Sequence, residues 1–252
     1  MSASSGGGWL GSHVVELADC ASTNDEAAKL ARAGAAHGTV VIAHAQTAGR
    51  GRDGRAWASP PGAGLYLSAV LRPPLPLVDV PPLTLAIGIG ACDAAIAAGA
   101  PARIKWPNDL LVGTRKLAGI LVETQSQGGR LDAAIAGIGV NLRAHADQPD
   151  TAIALESALP AGTASLDRDR FVASLLANIA LWVDRYVAGG LAAIIPAWHQ
   201  RMATGLAARA TIDGAPLDGE VAGLDVDGAL LLRDPRGRLH RVRSGDVQVL
   251  RG

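Results

Sequence analysis

The chain has 252 residues, 49% of them hydrophobic, with 23 basic and 23 acidic side chains. That length suits one catalytic domain with a small appendage, and the apolar share suffices for a large core. Zero net charge provides no long-range field toward nucleic acid or an anionic membrane, and two cysteines, Cys20 and Cys92, without a C-x-x-C spacing indicate neither a disulfide framework nor a zinc site.

Residues 1–12 open Ser/Gly-rich and lack the basic-then-apolar pattern of a secretory signal, so a flexible N-terminus on a cytoplasmic chain is expected. Residues 13–18 alternate and read as a strand. Thr23-x-x-Glu26 reads as a capping box opening a helix that ends near Gly34. Ser22 and Thr23 then sit where helical N–H groups are free, with capping itself the structural alternative for Thr23. Residues 39–45 read as a buried strand.

Residues 46–59, Gln-Thr-Ala-Gly-Arg-Gly-Arg-Asp-Gly-Arg-Ala-Trp-Ala-Ser, are the most informative stretch. Gly49, Gly51 and Gly54 weaken both helix and strand, so the segment is a loop. It carries Arg50, Arg52 and Arg55. Glycine lets backbone amides curl around anions, and arginine adds planar, bidentate donors. Gly49-x-Gly51-x-x-Gly54 also matches the dinucleotide-binding pattern, which requires the last glycine to open a helix. Pro60 and Pro61 follow, so that reading is rejected.

A strand over 64–72 leaves the loop. A helix over 83–98 follows, shorter than a membrane span. Strand 102–106 ends in Lys105-Trp106-Pro107-Asn108-Asp109, and 109–112, 116–125 and 130–141 read as a meander. Of the 23 basic residues only Lys29, Lys105 and Lys116 are lysine, and two fall in this segment. A compact ammonium fits a tight site where a guanidinium fork does not. Adjacent Asn and Asp can hold a hydrated Mg²⁺ beside phosphates, and they are also ordinary turn residues. Residues 144–165 read as irregular. Phe171, Leu175, Ile179, Trp182 and Tyr186 recur at helical spacing within 168–188, as core, with Gly189-Gly190 as the stop. Pro196 interrupts any helix over 190–203 or begins its second half. From about residue 205, short runs (207–212, 219–225, 229–233, 238–243, 246–250) alternate with turns at Asp213-Gly214, Asp227-Gly228, Pro235–Gly237 and Ser244-Gly245, which suits a small five-stranded barrel.

In chain order, Ser22-Thr23-Asn24, Gln46 to Pro60, Gly64-Leu-Tyr66-x-Ser68, Lys105 to Asp109, Arg115 to Glu123 and Gly137-Ile-Gly-Val-Asn141 resemble the biotin–protein ligases (biotin–[acetyl-CoA-carboxylase] ligases), over about residues 13 to 250. The resemblance implies an α+β fold: a mixed-sheet catalytic domain of the biotin/lipoate ligase type over 13–204, then an SH3-like barrel over 205–252. It implies an enzyme that activates biotin with ATP as biotinoyl-5'-AMP, with Mg²⁺, and transfers it to a lysine of a biotin carboxyl carrier protein. Ser22, Thr23, Asn24 and Gln46 would bond the ureido head of biotin. Arg50, Gly51 and Arg52 would cover biotin and the adenylate, with Arg52 and Lys116 as the catalytic cations. Trp57 would stack near adenine and Asn141 bond its edge. Asn108 would bind the nucleotide and, with Asp109, organise the metal. From their position and Pro/Ala/Asp content, and not from the resemblance, residues 144–165 are expected to order over adenosine. Trp106 and Tyr66 read as packing, Lys105 as either, and Gly119 as permitting close backbone approach.

With the catalytic strand beginning by about residue 13, an N-terminal helix-turn-helix and specific DNA binding are not expected. Neither is a membrane partner, and the chain is expected to be a monomer or weak homodimer. Rival readings are a lipoate or octanoate ligase, a non-catalytic biotin sensor, and a single-strand nucleic-acid binder using the Gly/Arg loop. The first would leave the polar groups of the ureido pocket unpaired. The second is disfavoured by the presence of Lys116, Asn108 and Asp109. Neutral charge and few aromatics argue against the third.

Overall fold

A computed structural model describes residues 8–163, 165–212, 215–243, 245 and 247–250. The alternating and apolar runs form a seven-stranded mixed sheet in the order β1-β2-β3-β7-β6-β5-β4. Its strands are β1 (His13–Leu17), β2 (Thr39–Ala43), β3 (Gly64–Leu71), β4 (Ala102–Lys105), β5 (Asp109–Val112), β6 (Arg115–Gln127) and β7 (Arg130–Asn141). Helix α1 (Thr23–Arg32) connects β1 to β2, which pair in parallel; every other ladder in the sheet is antiparallel. β2 and β3 are buried along their whole length, as strands covered on both faces must be.

One face is covered by α2 (Leu83–Ala97) and α4 (Arg168–Arg201). The stretch Leu77–Ala97, which ends in α2, and the stretch Arg168–Arg201 are apolar and long enough to cross a membrane, yet here α2 and α4 pack on each other and on the sheet. A short helix, α3 (Leu155–Ala158), precedes α4. The five residues read as core on α4, from Phe171 to Tyr186, are all buried. The break at Gly189-Gly190 is real: Gly190 has φ 62° and ψ −157°. Helix then resumes to Arg201 with Pro196 inside it, so proline neither interrupts nor begins the second half.

The other expectation revised is the capping box. Ser22, not Thr23, is the N-cap, and its side chain caps nothing. Thr23 N donates instead to Gln46 Oε1 at 2.8 Å, and Glu26 pairs with Lys29 at 2.7 Å. A tertiary partner has replaced the local one.

After α4 come β8 (Ala207–Ile212), β9 (Ala215–Leu224), β10 (Leu230–Arg233), β11 (Leu239–Val242) and β12 (Val247–Val249), an antiparallel sheet in the order β11-β10-β9-β8-β12. Among the described residues no ladder joins β11 to β12, so a closed barrel is not formed; Asp213-Gly214 and Ser244 lie outside the described residues. The two sheets share one continuous core. Trp106, 6% exposed, donates its indole N–H to Gly228 O at 3.0 Å across that junction.

The crossing of α2 and α4 depends on Gly90. A Cβ there would sit 2.7 Å from the Ile179 backbone, whereas one on Gly88 would meet nothing closer than 3.8 Å. Gly90→Ala should destabilise by roughly 1–3 kcal/mol through overpacking. Gly88→Ala should be neutral or stabilising by about 0.5–1 kcal/mol, because alanine is the better helix former. Urea denaturation of both variants checks the pair; equal effects would place the helices further apart than described.

Candidate active site

Cross-strand partners share a face of a sheet. One such row runs Tyr66, Gly139, Gly119, Asp109 and Lys105 across five strands. A second runs Ser68, Gly137 and Leu121. Lys116, three residues before Gly119, would by alternation point away from this face. A β-bulge corrects it: Leu110 pairs with Ala118 but Leu111 with Lys116. Leu117 is the extra residue and sinks fully into the core, so Lys116 takes the cavity side. Bulges next to active sites re-aim side chains in this way. The Lys116 backbone is then fixed. Its N–H donates to Thr151 O and its carbonyl accepts from Ile153 N and Asn141 Nδ2, at 2.8, 2.9 and 3.2 Å.

Glycines make the face concave. A Cβ on Gly139 would lie 2.6 Å from Trp57 Cε2, and one on Gly119 would lie 3.1 Å from Trp57 Cζ3 and 3.2 Å from Lys116 Nζ. A Cβ on Gly137 would collide with the Asn24 amide. The indole of Trp57 therefore lies on a glycine floor. Lys116 Nζ is 5.2 Å from its ring centre, and its buried Nε1 has no hydrogen-bond partner among the described residues.

The cavity, about 150 Å³, is bordered by residues that include Ser22, Thr23, Asn24, Gln46, Arg50, Gly51, Arg52, Trp57, Asn108, Asp109 and Lys116. Its two ends differ in kind. At one end the groups are polar and uncharged. Gln46 Oε1 accepts from Thr23 N and Oγ1, and Gln46 Nε2 donates to Ser59 Oγ at 2.8 Å. Fully buried Ser68 donates within reach of Thr23 Oγ1 and Asn24 Oδ1, at 2.7 and 2.6 Å. Asn24 Nδ2 donates to Glu123 Oε2 at 2.5 Å, which fixes the direction of its amide. The other end is cationic, with Arg52 and Lys116.

The Gly/Arg loop is a small hairpin. Arg50 bridges Ala56, Arg55 N donates to Arg52 O at 3.2 Å, and Asp53 (φ 56°) and Gly54 (φ 71°) form its tip. Two positive φ angles at Asp-Gly are the signature of a type I′ turn. No helix opens at Gly54. Arg50 is bidentate to Asp25, at 2.7 and 2.8 Å, and 3.7 Å from Glu123. Those hydrogen bonds hold the Asp25 carboxyl below the ordinary carboxylate range. Among the described residues Arg52 makes only long contacts, 3.5 Å to Asn108 Oδ1 and 3.4 Å to Gly245 O.

Asp109 sits between two ammonium groups, Lys105 Nζ at 2.9 Å and Lys116 Nζ at 2.6 Å. Burial pushes its pKa up, but the two lysine charges and their contacts outweigh burial and bring it below the usual range. Among the described residues no cluster of three His, Cys, Asp or Glu could hold a metal. Asp109 is already neutralised, and Asn108 offers one amide oxygen while its Nδ2 donates to Ile120 O at 2.7 Å. These two residues therefore offer an amide oxygen and a lysine-paired carboxylate, a partial oxygen set of the kind that holds Mg²⁺ only together with substrate phosphates and water.

Of the residues given a binding or catalytic role from sequence, Asn141 alone does not border the cavity and lies behind Lys116; Lys105, read as either, does not border it. Residues 151–153, in the irregular stretch, lie beside Lys116. Sequence reasoning missed Asp25, Ser59, Ser68, Glu123, Gly137 and Gly139 as parts of this site. Gly137-x-Gly139 on an otherwise apolar strand was the available signal.

The family model for the biotin/lipoate A/B protein ligase family matches residues 18–141. The biotin–[acetyl-CoA-carboxylase] ligase of Paracoccus denitrificans is 38% identical over 88% of this chain and 95% of its own length. The bifunctional ligase/repressor BirA of Bacillus spizizenii is 33% identical over 95% of this chain and 75% of its own. The structure of the Aquifex aeolicus biotin protein ligase in complex with biotin and ATP superposes with a TM-score of 0.80 at 26% identity, covering 96% of this chain and all of that one. The chain belongs to the biotin–protein ligase family.

Proposed function

We propose that this chain is an ATP-dependent biotin–[acetyl-CoA-carboxylase] ligase, and the observation that carries the proposal is the division of one cavity into a neutral polar end and a cationic end. Biotin has the same division. Its ureido ring offers two N–H donors and a carbonyl acceptor, matched by Ser22, Thr23, Asn24 and Gln46. Its carboxylate lies at the end of an apolar chain and needs the cations. Lipoate would leave the polar end unpaired, a mismatch of about 1–3 kcal/mol per buried group.

In the first step a biotin carboxylate oxygen attacks the α-phosphorus of ATP. A C–O–P linkage forms, the bond to the β-phosphate breaks, and pyrophosphate leaves. Arg52 and Lys116 offset the repulsion between two anions and the charge of the phosphorus transition state. Mg²⁺ bound with ATP would offset phosphate charge, and Asn108 and Asp109 are the residues that would help hold it beside the phosphates. Trp57 provides a flat indole face for the adenine beside Lys116, Asn108 lies at the phosphate side, and the 144–165 segment borders adenosine. Arg50 holds the loop shut on α1. In the second step the neutral amine of an acceptor lysine on a biotin carrier domain attacks the acyl carbon, an amide forms, AMP leaves and a proton passes to solvent.

The catalytic domain spans residues 13–204 in this reading, and residues 205–252 are an SH3-like module whose Gly245 carbonyl reaches Arg52. A reaction that consumes ATP belongs in the cytoplasm. Zero net charge gives no long-range field toward an operator, and the working unit is a monomer or weak homodimer.

Biotin-dependent ATP–pyrophosphate exchange, with lipoate as control, tests the assignment; exchange with neither acid removes it. Lys116→Ala should slow adenylate formation about 10²–10³-fold with the fold retained, as loss of one charge-stabilising donor does. Near-normal pyrophosphate release would acquit Lys116. Arg52→Gly should release the adenylate early, read as biotin on bystander lysines in a mixed-protein labelling assay; unchanged selectivity counts against the shielding role. Gly137→Ala should weaken biotin binding about tenfold or more, roughly 1.4 kcal/mol, because the new methyl displaces Asn24 from Ser68 and Glu123. Titration calorimetry with biotin alone measures it, and an unchanged affinity would detach Asn24 from recognition.

A further inference from the structure

Lys105 has no place in the chemistry just described. It borders no part of the biotin cavity. It lies behind Asp109 in the cross-strand row, 13% exposed against 12% for its partner carboxylate. It faces a small apolar space with Trp106, Trp198, Met202 and Leu206. A buried ion pair is a poor stabiliser of a fold, since apolar residues of similar size serve as well or better. Something other than stability must explain a lysine there, in a chain with only three lysines among its 23 basic residues.

Each oxygen of Asp109 faces one ammonium: Lys105 donates to Oδ2 at 2.9 Å, and Lys116 Nζ lies 2.6 Å from Oδ1. Of the two lysines only Lys116 borders the cavity. Its side chain is 37% exposed to the cavity. Two ammonium groups share one carboxylate, so the group of three carries one net positive charge. Without Lys105 the remaining pair would be neutral, and a buried carboxylate with one cation would hold that cation hard.

We infer that Lys105 is a positioning residue for adenylation: it neutralises Asp109 from behind the cavity and so leaves the charge of Lys116 free to move to the phosphate. Asp109 is then the resting place of Lys116, and Lys105 sets how easily Lys116 leaves it. The ammonium that greets the nucleotide is on Lys116; the excess charge that makes it available comes from Lys105. This inference rests on the adenylation reading above.

The test is charge restoration in the full chain. Wild type, Lys105→Met, Lys105→Arg and Lys105→Met/Asp109→Asn are compared in biotin-dependent ATP–pyrophosphate exchange. Binding of biotin alone and thermal melting are measured alongside. Lys105→Met makes the group neutral and should lower kcat/KM for ATP about tenfold to a hundredfold, with biotin affinity unchanged. The double variant removes the buried pair and restores one positive charge, so it should recover most of that loss. Lys105→Arg should retain most activity. A merely structural lysine would give a lower melting temperature with no selective effect on ATP, and no recovery in the double variant. Either result overturns the inference, as does wild-type exchange in Lys105→Met. Wild-type protein that shows no exchange with biotin overturns the ligase reading itself and takes this inference with it.

Discussion

A flat sheet cannot hold a ligand at its centre, because side chains on neighbouring strands fill the space above it. Here three positions on one face, Gly119, Gly137 and Gly139, have no side chain, and the space they leave is taken by groups from elsewhere. Trp57 descends from the Gly/Arg hairpin onto Gly139 and Gly119, and Asn24 from α1 onto Gly137. Lys116 needs both the open floor at Gly119 and the bulge at Leu117 to reach the same face. The polar end, the aromatic face and the cation of the site are thus brought together by one pattern of missing side chains. Glycine lowers strand stability, and these strands are central in the sheet, with partners on both sides to offset it.

Much of this was legible in the chain. Strand and helix runs followed from apolar periodicity, and the Gly/Arg stretch could only be a loop. What escaped were effects that need a partner distant in sequence. Thr23-x-x-Glu26 satisfies the local rule for a capping box, but Gln46, 23 residues away, supplies the acceptor for Thr23 N. Asp53-Gly54 is an ordinary hairpin signal, hidden because the flanking residues are arginines and not a strand pattern. Asn108-Asp109 invites a metal by composition; only the fold shows two lysines already on the carboxylate. Gly137 and Gly139 read as weak strand residues until the atoms above them are known.

The same limit explains why two arginines in one loop differ. Arg50 and Arg52 are equivalent by type and spacing. In the folded protein Arg50 donates both arms of its guanidinium to Asp25 at 2.7 and 2.8 Å, with Glu123 at 3.7 Å. Such bidentate, charge-assisted geometry is the strongest available to the residue. It ties the hairpin to the first turn of α1, where Asn24 also resides, so the loop and the polar end of the cavity are held as one unit.

Arg52 is positioned to do the opposite. Its two contacts, to Asn108 Oδ1 and Gly245 O, are neutral acceptors at 3.5 and 3.4 Å, at the edge of hydrogen-bond range. A phosphate or carboxylate would offer charge-assisted bonds about 0.6 Å shorter and roughly twice as strong. Exchange of the present contacts for an anion is therefore favourable at little loss. Those contacts also reach the β4–β5 turn and the second sheet, so an anion that recruits Arg52 would loosen the hairpin tip from both. The short bidentate contacts of Arg50 and the long contacts of Arg52 thus lie at opposite ends of one short hairpin.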